Sequence, residues 1–145
     1  ALVQGRPVFF KQPRLGKNHH EFQIIKFCSM SNKRNEEGGL LPNKERTTRI
    51  GEFLRRTSLD ELPGFWNVLK GEMSIVGPRP LPPQYLDRYS KQQDRRHQVK
   101  PGVTGWAQVN GLRGPTDDPK LMQKRYQHDL WYLKNWSILL DIFIA

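Results

Sequence analysis

Clusters of apolar residues near the start of the chain predict two strands. The segment GRPVFFKQPRLGKNHHEFQIIKFCSM carries apolar runs at residues 8–12 and 21–27, with glycine and asparagine between them. Short apolar runs separated by such turn residues are typical of a β-hairpin. The next stretch, residues 31–44, is polar and contains two adjacent glycines. We therefore predict a surface loop there.

Helical spacing of apolar residues predicts two consecutive helices after this loop. The first begins at Thr47 or Thr48 and runs through RIGEFLRR. The second begins near Ser58 and ends at Lys70-Gly71, because glycine often follows the last helical turn. In both helices the apolar residues recur three and four positions apart, which predicts one buried face. The residues expected on these faces are Ile50, Phe53, Leu54, Leu62, Phe65, Trp66 and Leu69.

The second half of the chain alternates loops with short elements. Residues 74–76 are expected to form a strand, and GPRPLPP must follow as a stiff loop because proline fixes φ and restricts the residue before it. We predict a helix over residues 83–92 and a strand over residues 106–109, within the glycine-punctuated PGVTGWAQVNGLRG. A final helix is expected over residues 118–136. Its apolar side would carry Met122, Tyr126, Leu130 and Leu133.

Composition narrows the class of protein. A length of 145 residues suits one domain, so these elements predict a single compact domain of the α/β (α+β) class, with short strands and several helices. The 24 Lys and Arg against 14 Asp and Glu give a net charge of +10, which favours phosphate esters, nucleic acid or an acidic membrane as partner. A single cysteine excludes an internal disulfide, and this favours a reducing compartment.

Two adjacent acids, Asp60 and Glu61, stand at the start of the second of these helices in TSLDELPG. One interpretation is a capping box, in which Ser58 is the N-cap and Glu61 reaches back to it. The other is catalytic, because the free N–H groups at a helix start bind anions. A carboxylate held there could attack phosphorus if arginines and a divalent cation neutralised the phosphate oxygens. The adjacent acids alone leave both interpretations open.

Cationic residues supply candidate phosphate contacts. Arg79 lies between prolines in GPRP, where a stiff loop would orient its guanidinium for bidentate phosphate binding; an ordinary surface arginine is the alternative. The basic run RRHQVK has two interpretations, a set of phosphate contacts or a solvated basic face. His19-His20 lacks companion ligands at metal spacing, so we predict a turn there.

Five blocks of sequence, taken in order, resemble the bacterial sugar transferases. They are GRPVFFKQPRLG, KFCSM, RRTSLDELPGFWNVLKGEMSIVGPRPL, RHQVKPGVTGWAQVNG and HDLWYLKNWSILLD. This family is also called the monotopic phosphoglycosyl transferases, or polyprenyl-phosphate hexose-1-phosphate transferases. The resemblance extends over residues 5–141, nearly the whole chain.

The resemblance implies a reaction and a location. Family members transfer a sugar 1-phosphate from a nucleoside-diphosphate sugar, usually a UDP-sugar, to undecaprenyl phosphate and release UMP. This step initiates exopolysaccharide, capsule, O-antigen or glycan synthesis at the cytoplasmic face of the bacterial inner membrane. Residues 1–145 would then be the catalytic domain. The re-entrant membrane helix with which the family begins is absent from this chain, and residues 1–4 would be the end of that helix.

The resemblance also implies residue roles. Asp60 would be the nucleophile that forms a covalent sugar-phosphate intermediate, and Glu61 would help to place Mg2+, so both acids are expected metal ligands. Arg79 and Arg55 would contact phosphate. Further candidates for the donor or lipid phosphate are Lys26, Arg96, Lys100 and Arg113.

The C-terminal segment has two interpretations, and three residues differ from the usual family pattern. Residues 138–144 are apolar and follow three aromatic residues, which suits a helix in the membrane interface; core packing is the alternative. Cys28 stands where the family often has a cation, Gly64 where it often has Gln, and Glu72 where it often has Asp.

A second hypothesis is a basic nucleic-acid-binding module without enzymatic activity, whose affinity for nucleic acid would fall steeply with salt.

Overall fold

The computed structural model of the chain describes residues 7–88, 90–113 and 118–145. The strands are β1 (Phe9–Leu15), β2 (Glu21–Phe27), β3 (Ser74–Val76) and β4 (Gly102–Thr104). The α-helices are α1 (Asn43–Arg46), α2 (Arg49–Arg56), α3 (Phe65–Leu69), α4 (Lys91–Asp94), α5 (Trp106–Val109), α6 (Pro119–Asn135) and α7 (Ile138–Ile144). Short 3-10 helices cover Lys17–His19, Leu59–Gly64, Pro83–Arg88 and Arg95–Gln98. This mixture of helices and short strands confirms the predicted α/β class.

The strands form two small sheets, and the chain divides into two compact units. β1 pairs with β2, and β3 pairs in parallel with β4. Among the described residues, the first unit contains residues 7–11 and 25–64. The second contains residues 12–24, 65–88, 90–113 and 118–145.

In the first unit, α2 lies close to the chain that follows β2. Thr48 caps this helix, because its Oγ1 accepts a hydrogen bond from the N–H of Gly51 at 3.0 Å. Gly51 is buried, and a Cβ there would overlap the backbone carbonyl of Ser29. Only glycine permits so close an approach. The predicted start of this helix is therefore confirmed, and the glycine is on the face that packs.

The predicted burial of the two apolar helix faces is wrong for six of the seven residues, and the seventh, Leu54, is half-buried. Ile50 and Phe53 are exposed in α2, as are Leu62, Phe65, Trp66 and Leu69 in the segment that follows. That segment is a 3-10 helix, Leu59–Gly64, followed by α3, instead of one α-helix. Helical spacing shows that apolar residues share a face, but it does not show that the face packs inward.

Two apolar clusters form the core of the second unit. Phe22, Ile24 and Met73 are buried together with Val68 and Val103 against them. The other cluster consists of the buried residues Val76, Tyr132 and Ile144, and of Trp106, Leu133 and Leu140 around them. Each cluster contains residues that are far apart in the sequence, so the core of this unit forms only when these segments come together.

A buried amide holds β2 to the segment after α3. Asn67 has no exposed surface, and its Nδ2 donates to the carbonyl of Gln23 at 2.8 Å and to Oε2 of Glu72 at 2.6 Å. A buried amide stabilises a fold only when it is hydrogen-bonded in this way. Glu72, one of the family departures, therefore has a structural partner.

Several element boundaries differ from the predictions. The strand predicted over residues 106–109 is wrong, because those residues form α5 and the strand is β4, a few positions earlier. β4 pairs with β3 with Ser74 opposite Gly102 and Val76 opposite Thr104. The helix predicted over residues 83–92 is a 3-10 helix, Pro83–Arg88, and a separate short helix, α4. β1 begins one residue later than predicted and extends to Leu15.

Other boundaries agree with the sequence. β2 and β3 are confirmed, and Gly71 follows α3 with a φ of 78°. α6 begins after Asp118, whose side chain accepts from the N–H of Lys120 at 2.8 Å. Residues 1–4, expected to end a membrane helix, lie outside the described residues. Within the described ranges, every helix is too short or too polar to cross a membrane.

Candidate functional site

The acid pair lies in a tight turn of the first unit. Ser58 has a φ of 57°, in the left-handed region that residues other than glycine rarely adopt. Asp60 and Glu61 follow in the first turn of the 3-10 helix Leu59–Gly64, and the N–H of Glu61 donates to the carbonyl of Ser58 at 3.1 Å. An N-cap residue normally has extended backbone geometry. The conformation of Ser58 therefore argues against the capping-box interpretation.

Glu61 forms an ion pair with Lys26, which lies in β2. The Nζ of Lys26 is 2.6 Å from Oε1 of Glu61, and the two side chains are only 15% and 19% exposed. Such shielding makes an ion pair stronger than the usual surface pair. The ion pair fixes Glu61 to the hairpin and places a cation next to the acid pair. It also means that one predicted phosphate-binding residue, Lys26, contacts a carboxylate.

Arg55 belongs to the same unit as the acid pair. It lies in the last turn of α2, and this helix packs against the 3-10 helix that carries Asp60 and Glu61. Its side chain is exposed, with Nη1 3.6 Å from the sulfur of Met30. Cys28, where a cation was expected, is half-buried and its thiol donates to the carbonyl of Met30 at 3.2 Å. Arg55 can therefore meet an anion that approaches from solvent.

In the second unit, Arg96 is buried in a set of internal contacts. Its Nη2 donates to the carbonyl of Arg79 at 2.6 Å and lies 2.9 Å from Oδ2 of Asp129. Its guanidinium carbon is 5.3 Å from the centre of the Tyr126 ring, within the range of a cation–π interaction. The side chains of Arg96 and Asp129 are each 2% exposed. Arg96 thus holds the Arg79 loop to α6, and phosphate binding by Arg96 stays a prediction.

Positive charge exceeds negative charge around this ion pair. Burial raises the pKa of the Asp129 carboxyl, while Arg96 and Arg125 act in the opposite direction. Burial, and next the charge of Arg79, lowers the pKa of the Arg125 guanidinium. The guanidinium groups of Arg96 and Arg125 therefore act on one carboxylate, and Arg79 acts on Arg125. This local surplus of positive charge favours an anion.

Sequence reasoning missed Arg125 and Asp129. The two residues are four positions apart in α6, so they lie on one helix face, and both are buried. The available signal was the position of two ionisable residues beside Tyr126, on the helix side predicted to be apolar. Charged residues are rarely buried without a partner, so this position indicated buried partners. Asp129 pairs with Arg96, and the Nε of Arg125 donates to the carbonyl of Leu112 at 3.0 Å. Both partners lie outside α6, and the spacing in α6 does not identify them.

The structure places the predicted site residues in two groups. Asp60, Glu61, Lys26 and Arg55 lie in the first unit. The second unit contains the half-buried Arg79, the buried Arg96, and the exposed Lys100 and Arg113. The catalytic, phosphate-binding and metal-binding roles of these residues stay predictions.

Comparison with known sequences defines the class of protein. The chain belongs to the bacterial sugar transferase family, whose sequence profile matches residues 1–145. The resemblance seen in the five sequence blocks is therefore confirmed, and with it the assignment to a family of transferases.

Two individual relatives are identical to this chain at about half of the aligned positions. It is 48% identical over 143 residues to the "Uncharacterized sugar transferase EpsL" of Bacillus subtilis (strain 168), which covers 99% of the chain and 68% of that protein. It is 51% identical over 145 residues to the UDP-glucose:undecaprenyl-phosphate glucose-1-phosphate transferase of Xanthomonas campestris pv. campestris, covering 95% of the chain and 30% of the relative.

A third relative is named for a different sugar. The chain is 40% identical over 150 residues to the UDP-N-acetylgalactosamine-undecaprenyl-phosphate N-acetylgalactosaminephosphotransferase of Aeromonas hydrophila, covering 99% of the chain and 35% of the relative. The chain therefore spans well under two thirds of the length of the relatives from Xanthomonas and Aeromonas.

Proposed function

We propose that this chain is the catalytic domain of a phosphoglycosyl transferase. It transfers a sugar 1-phosphate from a UDP-sugar to undecaprenyl phosphate and releases UMP. The observation that carries the proposal is the shielded Lys26–Glu61 ion pair directly beside Asp60. The names of the Xanthomonas and Aeromonas relatives, which include a UDP-sugar and undecaprenyl phosphate, support the choice of substrates.

Asp60 is the proposed nucleophile. A carboxylate oxygen attacks the phosphorus that bears the sugar, the bond from that phosphorus to the bridging oxygen breaks, and UMP leaves with the electron pair. A phosphate oxygen of undecaprenyl phosphate then attacks the same phosphorus. The bond to Asp60 breaks and the carboxylate is restored. Two displacements at one centre allow a single site to serve both substrates.

Glu61 and Lys26 position and balance the charge of this site. Lys26 holds Glu61 against β2 by the 2.6 Å ion pair, which fixes the position of the carboxylate that follows Asp60 in the sequence. The two adjacent carboxylates fit Mg2+, because hard oxygen ligands are the ones it prefers, and we propose Asp60 and Glu61 as its ligands. When bound, Mg2+ neutralises negative charge on the donor diphosphate. Arg55, in the same unit, is a proposed guanidinium contact to phosphate. For Arg79, in the second unit, phosphate contact stays a proposal from the sequence resemblance.

The C-terminal helix supports a membrane-surface location. In α7 the side chains of Ile138, Leu139, Ile142 and Phe143 are between 69% and 80% exposed. Exposed apolar residues on one short helix are costly in water and favourable in the interfacial region of a bilayer. The net charge of +10 would add attraction to anionic lipids of the cytoplasmic leaflet. We propose that α7 lies in that interface.

The test is UMP release by the full-length protein. The protein is incubated with undecaprenyl phosphate, Mg2+ and each of a panel of UDP-sugars, and wild type is compared with Asp60→Asn. We expect wild type to release UMP with a preferred donor, and Asp60→Asn to lose at least about 1,000-fold of the rate, about 4 kcal/mol of transition-state stabilisation. Glu52→Gln, an exposed acid of α2, is the matched control and should retain the wild-type rate.

Two outcomes would contradict the proposal. If Asp60→Asn retained turnover while remaining folded, Asp60 would not be the nucleophile. If wild type released no UMP from any donor but bound DNA with an affinity that fell steeply with salt, the nucleic-acid-binding hypothesis would replace the enzymatic one. Mass spectrometry of wild type mixed with donor alone adds a direct measurement, since the peptide with Asp60 should gain one sugar phosphate.

A further inference from the structure

Three side chains with metal-binding atoms converge in the second unit. Nε2 of His19 lies 2.6 Å from Oδ1 of Asp94, and the rings of His19 and His97 have centres 4.9 Å apart. One potential ligand atom from each of the three residues lies within 4.8 Å of the others. His19 comes from the hairpin turn, whereas Asp94 and His97 come from α4 and the next 3-10 helix. Sequence alone predicted only a turn at His19, because its companions are far away along the chain.

His97 is held in an orientation suited to a metal ligand. The residue is 6% exposed, and its Nδ1 lies 3.4 Å from the carbonyl of Gly16. Donation from Nδ1–H to a carbonyl leaves Nε2 with its lone pair, as in most metal-bound histidines.

His19 and Asp94 are positioned by their backbones. Asn18 and His19 have φ values of 52° and 61°, an unfavourable conformation for two successive residues that have side chains. A hydrogen bond of 2.8 Å from the N–H of Gly16 to the carbonyl of His20 closes this turn. Asp94 ends α4, whose start is fixed by a capping box between Ser90 and Gln93. The backbone on both sides thus holds the candidate ligands close together.

A cleft beside these residues leaves room for a further ligand. The cleft has a volume of about 280 Å³, and the side chains of Lys91 and Arg95 also line it. A metal bound by three protein atoms keeps a coordination position open for water or an anion. The two cations at the rim would favour an anion there.

We propose that His19, Asp94 and His97 form a binding site for a divalent transition metal of the Zn2+ class. Two imidazole nitrogens and one carboxylate oxygen are a common three-ligand set for such ions. Mg2+ prefers oxygen ligands, so it competes poorly at this set. The metal takes the place of the proton between His19 and Asp94, and the neutral imidazole of His19 then carries its proton on Nδ1. Bound metal joins the hairpin turn to α4, and it therefore stabilises the fold.

The test is metal titration of the untagged full-length chain after removal of metal by a chelator. We expect one Co2+ to bind at this site, with visible absorption bands from a low-symmetry site, and Zn2+ to displace it. His19→Gln and Asp94→Asn should each weaken Co2+ binding at least tenfold. Both residues are 40% exposed, so neither substitution should unfold the chain. Saturating Zn2+ should raise the Tm of wild type by several degrees, and about 10 mM Mg2+ should leave the Co2+ spectrum unchanged.

Matched variants separate this site from other sites on the chain. His20→Gln changes an exposed neighbour in the same turn and should retain wild-type affinity, as should Asp60→Asn and Glu61→Gln. The proposal is overturned if Co2+ shows neither bands nor binding. It is also overturned if His19→Gln and Asp94→Asn bind as tightly as wild type, or if His20→Gln weakens binding to the same extent.

Discussion

The buried ion pair between Arg96 and Asp129 provides a quantitative test of the second unit. Replacing Asp129 by Asn keeps the shape of the side chain and removes its charge. Arg96, whose side chain is 2% exposed, would then retain the carbonyl of Arg79 and the face of Tyr126 as partners but no counter-charge. We expect Asp129→Asn to destabilise the protein strongly while leaving its secondary structure intact.

The magnitude follows from the cost of an unpaired buried charge. Removing one partner of a buried pair typically costs about 3–5 kcal/mol. Burial raises the pKa of the Asp129 carboxyl, so keeping this carboxylate charged already costs free energy. Asp129→Asn removes that cost, and we therefore expect the lower end of the range, about 3 kcal/mol. With an unfolding entropy of about 2.1 cal/mol/K per residue, this predicts a fall in Tm of about 10 °C.

The assay is urea unfolding followed by tryptophan fluorescence, with calorimetry for the Tm. The double variant Arg96→Met with Asp129→Leu removes both charges and should recover most of the lost stability, because apolar residues can replace a buried pair. Gln127→Ala, an exposed change in the same helix, should alter stability by less than about 0.5 kcal/mol. A cost below about 1 kcal/mol for Asp129→Asn, or additive losses in the double variant, would refute the reasoning.

Two further predictions concern packing and pH. Gly51→Ala should lower stability by about 1–3 kcal/mol, because the added methyl group would overlap the backbone of Ser29; an unchanged urea midpoint would show that the helix can move away. Burial and the 2.7 Å hydrogen bond to Asp141 raise the pKa of Tyr132. The folded state then keeps a proton that the unfolded state loses above about pH 10, so stability falls as the pH rises through that value. Tyr132→Phe should show a smaller fall between about pH 9 and 11, and an equal fall would contradict the assignment.

Local sequence signals predicted some elements and failed at others for a definable reason. Residues 106–109 form a short segment between turn glycines, for which a strand was predicted, yet they form α5. The strand is β4, because its partner is β3 and Gly102 lets the two backbones approach where a Cβ would overlap Gly77. A short strand depends on a partner that is distant along the chain, and the local sequence does not identify that partner.

In the candidate site, too, adjacent residues could be recognised from the sequence, whereas contacts between distant residues could not. Asp60 and Glu61 are adjacent, so the sequence alone is enough to single them out. The ion pair of Glu61 with Lys26 joins residues 35 positions apart, and the companions of His19 are still more distant. Contacts of this kind arise from the path of the backbone, so sequence can nominate the residues but cannot pair them.

The pairing of β3 with β4 has a consequence for the order of folding. Hydrogen bonds of 2.8 Å from Ser74 N–H to the Pro101 carbonyl, and of 3.0 Å from Gly77 N–H to the Thr104 carbonyl, close this short ladder. The segment it encloses contains Arg79, Asp94, Arg96 and His97. Non-local pairing forms late because closure of the intervening chain costs entropy first. We therefore expect the cation-rich residues and two of the proposed metal ligands to acquire their positions together, in a late and cooperative step of folding.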